Sequence, residues 1–359
     1  MSDATTRRMI ELYQQDGAAP VPFLSGMFQS PPQNFYNSKE VEFDILRSDE
    51  EVAIVIQSLS GGARNNDANL YTNKSFVPPI YKERAGINAA DMIERSAGRN
   101  PFEDVNFQAN ATQRAFRQMR LMENKIRRAI ELQASQVLQA GTSTLIDSAG
   151  TTVYSINFAP KSSHFPTAGT AWNAVGGDPI GDLSALAEII RNDGLSDPDQ
   201  LIFGIDAWTA FIDNAAVLAR FDNRRIETGR IVPMDRMGNG GTYRGVVEIG
   251  NYSFECWTYG GRFVHPQTGT KTQYVTPAKV IMRASQGRLD ATFGGIPMLV
   301  PPEQRVMPYL PSRIMGDRVD MHQTAFVSDD GENLFVQVGA RPLMIPTAID
   351  TYGCIATGV

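Results

Sequence analysis

Histidine is scarce in this chain: His164, His265 and His322 are the only three, and they lie far apart. A zinc centre, or a serine–histidine–carboxylate arrangement for nucleophilic catalysis, needs two histidines, or one with carboxylates, to meet in space. No local spacing supports either. Cys256 and Cys354 are the two cysteines and neither belongs to a CxxC spacing. They are expected to be ordinary, partly buried thiols, with no disulfide framework and no structural zinc. The nearest approach to the phosphate-binding pattern GxxxxGK[ST] ends at Lys271-Thr272. It carries Thr270 and His265 where the two phosphate-cradling glycines belong. Gly238-Asn239-Gly240-Gly241-Thr242-Tyr243 approaches GxGxxG, but Tyr243 takes the place of the third glycine and no convincing strand precedes it. It reads as a loop. No GxSxG nucleophile elbow is present. Asp197-Pro198-Asp199 and Asp329-Asp330-Gly331 are turn sequences, short of the alternating acids of a calcium loop. No catalytic residue, cofactor or metal is expected.

Bulk composition agrees with a non-catalytic reading. The 359 residues are 42% hydrophobic and 20% charged, ordinary for a globular protein with enough apolar material for a sizeable core. The net charge of −6, from 33 basic and 39 acidic residues, is not that of a chain that grips nucleic acid. No run approaches the roughly 20 apolar residues of a membrane span. No apolar stretch of signal-peptide type follows the first charges, so a cytoplasmic setting is expected. Glycine (31) and proline (21) are plentiful and scattered, which implies many turns and many short elements.

The elements that any site would rest on can be read from periodicity. Residues 2–16 suggest a short helix capped by Ser2 or Asp3. Residues 22–37 carry Phe23, Leu24, Met27, Phe28, Phe35 and Tyr36 between prolines. This is an extended apolar arm, of a kind that usually lies on something, often another subunit. Residues 40–45 alternate as a half-buried strand, and 52–56 form a continuous apolar run that suggests a more buried one. Residues 57–85 are a long excursion, polar at the tip and aromatic on the return, far beyond the usual connection of about 4–6 residues.

From about 106 to 139 there is neither proline nor glycine. Ala115, Met119, Met122, Ile126, Ile130, Ala134 and Val137 recur at steps of three and four. They make one apolar stripe on a helix about 50 Å long. Its basic residues alternate with acids and read as a solvated face with intrahelical pairs such as Glu123–Arg127. Further on come a hairpin with a strand at 152–158, an amphipathic helix at 182–192, a buried strand at 201–204 and a helix at 207–220. Strands follow at 246–249, 252–259, 273–275, 279–284, 324–327 and 334–338. Helices and strands mix without a βαβ rhythm, so the class is α+β.

A conjunction of segments in order resembles the lambda-type major capsid proteins of tailed bacteriophages, the family with the HK97-like fold. It runs from Phe23-Leu24 and Phe28 through the strands at 40–56, the return Phe76-Val77-Pro78-Pro79-Ile80-Tyr81-Lys82 and the long helix. It continues with Tyr243-Arg244-Gly245, Phe254-Glu255-Cys256-Trp257-Thr258-Tyr259-Gly260-Gly261-Arg262-Phe263-Val264 and Tyr274 to Met282. It ends on Ala340-Arg341-Pro342-Leu343-Met344-Ile345-Pro346. The resemblance implies an N-terminal arm (1–38), the first part of a peripheral domain (39–56) and an extended E-loop (57–86). It then implies the rest of the peripheral domain (87–175) with a spine helix at about 106–140, an axial domain (176–315), and C-terminal strands (316–359) returning to the peripheral domain.

It also implies self-assembly into hexamers and pentamers of an icosahedral head enclosing double-stranded DNA, which lies against the inner face without specific binding. The chain would reside in the virion, and in the host cytoplasm during assembly. A separate scaffolding protein, a portal and a decoration protein are the implied partners. Inter-subunit contacts are expected from Phe23, Phe28, Phe35, Tyr36, Gly61, Gly62, Tyr71, Phe76, Pro78, Pro79, Tyr81 and Lys82. Two other readings remain open on the residues alone. One is an α+β enzyme or carbohydrate-binding protein whose 260–320 loops and flanks present Trp257, Tyr259, His265, Tyr274 and Tyr309. The other is a cellular nanocompartment shell protein of the same fold.

Overall fold

In the computed structural model, residues 22–36, 40–46, 71–88, 107–147, 149–220, 240–296, 320–328 and 332–359 are described. The expected helix at 2–16, the apolar run at 52–56, the turn at 329–331 and Tyr309 lie outside them.

The uninterrupted helical stripe becomes α1, Phe107–Ala140. It serves two cores in succession. Ala115, Met119, Met122 and Ile126 are buried against a three-stranded antiparallel sheet of β3 (Tyr81–Asn88), β14 (Asn333–Ala340) and β13 (His322–Val327), with β14 central. Leu334, Val336, Val338 and Ala340 alternate inward from β14, as period two requires. Ala134, Val137 and Leu138 belong to a second core. Ile130 is half-buried between the two. Gly141, at φ 62°, ends the helix with its N–H on the Val137 carbonyl. The chain then turns into the hairpin of β4 (Thr142–Ile146) and β5 (Thr152–Asn157).

The second module is a five-stranded sheet. Its order is β16 (Tyr352–Ala356), β11 (Lys279–Arg283), β6 (Gln200–Phe203), β8 (Tyr252–Tyr259) and β7 (Gly241–Ile249). Only β6 and β8 run parallel. Its β6 and β11 strands are buried on both faces, while the edge strand β7 exposes Arg244, Val246 and Glu248. Val280 and Met282 of β11, with Leu201 and Phe203 of β6, face the helices α2 (Pro179–Gly194), α3 (Ile205–Asp213) and α4 (Ala215–Arg220). Ile281, Ile202, Tyr352 and Cys354 face the core shared with α1. Each fully buried aliphatic or aromatic side chain here contributes about 1.5–3 kcal/mol. A ribbon of β9 (Arg262–Val264) and β10 (Lys271–Gln273) follows β8. Strand β12 (Asp290–Phe293) pairs with β15 (Pro342–Ile345) beside α1.

Three local details go beyond the periodicity. The helix at 207–220 is two helices, because Asn214 is extended (φ −70°, ψ 127°). Its amide donates to the Trp172 and Gly177 carbonyls, while its side-chain oxygen accepts from the Ala216 N–H and starts α4. The return leg of the long excursion is ordered into β2 (Tyr71–Phe76) and then β3, which carries eight ladder pairs with β14. The final strand, β16, joins the edge of the five-stranded sheet, with Lys279–Arg283 opposite Ala356–Tyr352, and packs with it on the C-terminal part of α1.

Candidate functional site

The arm begins the site. Phe23 and Leu24 are buried by their own chain, and Phe23 stacks on Tyr259 at 4.8 Å and tilts against Trp257 at 5.9 Å. A Cβ on Gly241 would stand 2.6 Å from the Phe23 ring. The second half of the GxGxxG-like run therefore lets an aromatic side chain lie flat on the start of β7. At the same place Glu131 of α1 is 4% exposed. Its Oε1 accepts from the N–H of Leu24 (2.8 Å), the N–H of Phe23 (3.3 Å) and the hydroxyl of Tyr259 (2.9 Å). Its Oε2 accepts from the N–H (3.0 Å) and hydroxyl (2.5 Å) of Ser25. Burial, and then the Glu131 charge, raise both the Tyr259 and the Tyr274 phenols, the latter to about 12.

The arm then runs as an added strand. Gln29 and Phe35 bridge in parallel to Asp290 and Phe293 of β12. The Gln29 N–H donates to the Leu289 carbonyl and the Tyr36 N–H to the Phe293 carbonyl, both at 2.8 Å. Phe35 stacks on Phe293 at 5.0 Å. Buried Asn34 donates to Asp290 at 3.0 Å, and Asp290 also accepts from Arg288 Nε (2.8 Å) and Thr347 (2.5 Å). Phe28 is buried. Phe23 and Phe28 thus spend their side chains inside their own subunit, because the arm supplies one wall of the core. Phe35 and Tyr36 are half-buried there.

The extended loop is built differently. Among the described residues its two legs, β1 (Val41–Leu46) and β2, pair only with each other, from Val41 opposite Phe76 to Leu46 opposite Tyr71. Its base is clamped. Phe76 tilts against Phe158 at 5.3 Å, the Tyr154 hydroxyl donates to the Val77 carbonyl at 2.5 Å, and Arg341 donates to the Gly295 (2.6 Å) and Pro78 (3.4 Å) carbonyls. Pro78 and Pro79 are buried. The half-buried Tyr81 accepts from Gln133 at 2.7 Å, and burial lifts its phenol to about 12. Lys82 is exposed, opposite Gly339. Gly61 and Gly62 lie outside the described residues.

The remaining candidates resolve into structure. Tyr259 and Tyr274 are buried and stack at 6.0 Å, with Phe263 on Tyr274 at 5.1 Å, so these rings are taken up by each other and not held open for a sugar. His164 is buried, with Nδ1 2.9 Å from the Tyr352 carbonyl and Nε2 2.9 Å from Asp193, whose other oxygen meets Lys161 at 2.6 Å. A backbone carbonyl stands where a catalytic hydroxyl would be needed. Both thiols are free and buried, and burial lifts each to about 12. Arg127 pairs with Glu123 at 2.7 Å, as the helical spacing predicts. Glu131 and Arg341 carry the anchoring; Arg341 stands in the Ala340–Pro346 segment that carried the resemblance, whereas no pattern singled out Glu131. A signal for Glu131 existed: it is the last charge before the charge-free run 132–146, whose helical part is mostly buried.

Comparison with known proteins agrees with this architecture. The family model described as phage major capsid protein E matches residues 18–352. No curated protein matches the chain. A solved structure described as the putative capsid protein of a prophage of E. coli CFT073 superposes with a TM-score of 0.58 at 16% identity, covering 93% of this chain and 94% of that one. The capsid structure of cyanophage P-SCSP1u gives 0.48 at 10% identity, covering 99% and 93%. A structure from Mycobacterium phage Adephagia gives 0.44 at 13% identity, covering 99% and 97%.

Proposed function

The chain belongs to the phage major capsid protein E family, and on that premise we propose how its subunits build a shell. Its fold is the α+β, HK97-like capsid fold. Its work is that of the major structural protein of the phage head, a virion component that associates with copies of itself.

The proposed assembly units are hexamers and pentamers of an icosahedral head around double-stranded DNA. They form in the host cytoplasm with a separate scaffolding protein, a portal and a decoration protein as partners. In this reading α1 with β3, β13 and β14 is the peripheral domain. The five-stranded sheet with α2, α3 and α4 is the axial domain, to which the last strand is added. The contacts with neighbours come from the extended loop, including Gly61, Gly62, Tyr71 and Lys82, and from the outer edges of Phe35, Tyr36 and Tyr81.

The observation that carries this reading is the β1–β2 ribbon. Among the described residues it has no third strand. A two-stranded ribbon is marginal in water by itself, so it calls for a surface to lie on, and a neighbouring subunit supplies one. Its base is tied down by Tyr154 and Arg341, so the ribbon can be laid across a neighbour without loosening its own core. Interfaces of this obligate kind bury about 2,000 Å² or more. Deleting residues 61–74 tests it. The expected product keeps the circular dichroism of the native chain but sediments as a monomer and yields no shells in electron micrographs. Normal particles from that deletion would remove the loop from the assembly interface.

A further inference from the structure

We propose that Glu131 is the receptor for the arm: an intramolecular site whose ligand is the backbone of residues 23–25. Its occupancy decides whether the arm is seated or free. The inference goes beyond the assembly reading and rests on it only for what a freed arm would do to a shell.

Three observations converge. First, Glu131 is buried on the charge-free end of α1, and its five donors are N–H and O–H groups, four of them from Phe23, Leu24 and Ser25. Hydrogen bonds to a carboxylate are about twice as strong as neutral ones, and a buried carboxylate stripped of its donors bears a large desolvation penalty. The seated arm and the carboxylate therefore need each other. Second, the surroundings are cut to one occupant: Gly241 has no room for a Cβ beneath Phe23, and Tyr259 both stacks on that ring and donates to the same carboxylate. Third, Leu24 is in the right-handed helical region ahead of the 3-10 turn at Ser25–Met27. That turn brings successive N–H groups round to a single anion. The second attachment, along β12, is of a different kind: two parallel bridges and Asn34 on Asp290. The arm therefore has a first clasp that can open while the strand-like part stays paired.

Chymotrypsin reads the clasp directly, because it cuts after Phe23 and Phe28, which the seated arm buries. When opening is fast relative to cutting, the cleavage rate follows the open population. With the full chain, Glu131→Gln is expected to raise cleavage after Phe23 at least tenfold, and to leave unchanged cleavage after the core residue Phe254 and after Phe28, which adjoins the still-paired Gln29. In the Glu131→Gln background, adding Ser25→Ala should raise the rate by less than Ser25→Ala does alone, since the two groups act as one contact. Unchanged cleavage after Phe23, or an equal rise at Phe254, overturns the proposal. If Glu131→Gln does not fold, Tyr259→Phe takes its place, with a severalfold rise expected and no rise counting against the clasp. Assembly is scored separately by electron microscopy. Normal particles from a chain whose arm is cut rapidly would leave the clasp standing and remove the seated arm from assembly. A protected arm would refute the clasp whatever the particles do.

Discussion

Asp193 sits where α2 ends, between Lys161 and His164. Burial pushes its carboxyl up, but the hydrogen bonds and charges of Lys161 and His164 outweigh this and hold it below its ordinary value. A depressed carboxyl stabilises the fold above the unfolded-state value, roughly 3.9, and loses that contribution as pH falls through the folded-state value. Asp193→Asn should therefore cost about 1 kcal/mol near neutral pH, a modest figure for a partly exposed pair. The gap in melting temperature should close as the pH drops below about 4. Parallel melting profiles for the two proteins across that range would contradict the pairing. Cys256 and Cys354, each lifted to about 12 by burial, should not react with a thiol reagent in the native chain and should both react after unfolding, as a colorimetric titration would show. At this scale the sequence was least legible. Glu131 looked like any helix acid and Gly241 like half of a nucleotide motif, because what defines both is a partner more than 100 residues away.

The elements were more legible, and for a physical reason: periodicity is local. The helix expected at 106–139 is Phe107–Ala140, and the stripe that predicted it is the face that packs. Alternation placed β1, β5, β8, β11 and β14 within a few residues. Strands β2, β3 and β12 escaped, since each owes its place to a ladder partner elsewhere in the chain. The break at Asn214 escaped because the carbonyls that hold its amide come from residues 172 and 177. Two changes probe this level. Gly141→Ala would force a left-handed residue to carry a Cβ 2.2 Å from the Pro160 ring. It should cost about 2 kcal/mol or more in denaturant melts, given 1–2 kcal/mol for the backbone alone. Ile126→Ala, at 1% exposure on α1, should cost about 2–5 kcal/mol.

For the molecule as a whole, chain closure is the governing feature. The last strand pairs with β11, buries Tyr352, Cys354 and Ile355, and completes a sheet that began with β6. Those three side chains, at about 1.5–3 kcal/mol each, approach the 5–15 kcal/mol that holds a typical domain together. A chain ending at residue 351 should therefore lose its cooperative melting transition in calorimetry. A sharp transition in that truncated chain would show the edge strand to be dispensable. Composition and resemblance pointed to a shell protein, but the closing strand's place could not be read from them, because the C-terminal segment is apolar enough to serve either sheet.

The helix α1 has a mechanical meaning besides its packing. Its 34 residues make a rod of about 51 Å, held by one core at Ala115–Ile126 and by another at Ala134–Leu138. Such a rod is a lever. The two grips are centred about 23 Å apart along the axis, so a tilt of about 5° at one carries the other through about 2 Å. Small angular adjustments at one core are thereby magnified into displacements at the other, while every hydrogen bond along the shaft is kept. A change of angle at one core is thereby felt at the other through a single element.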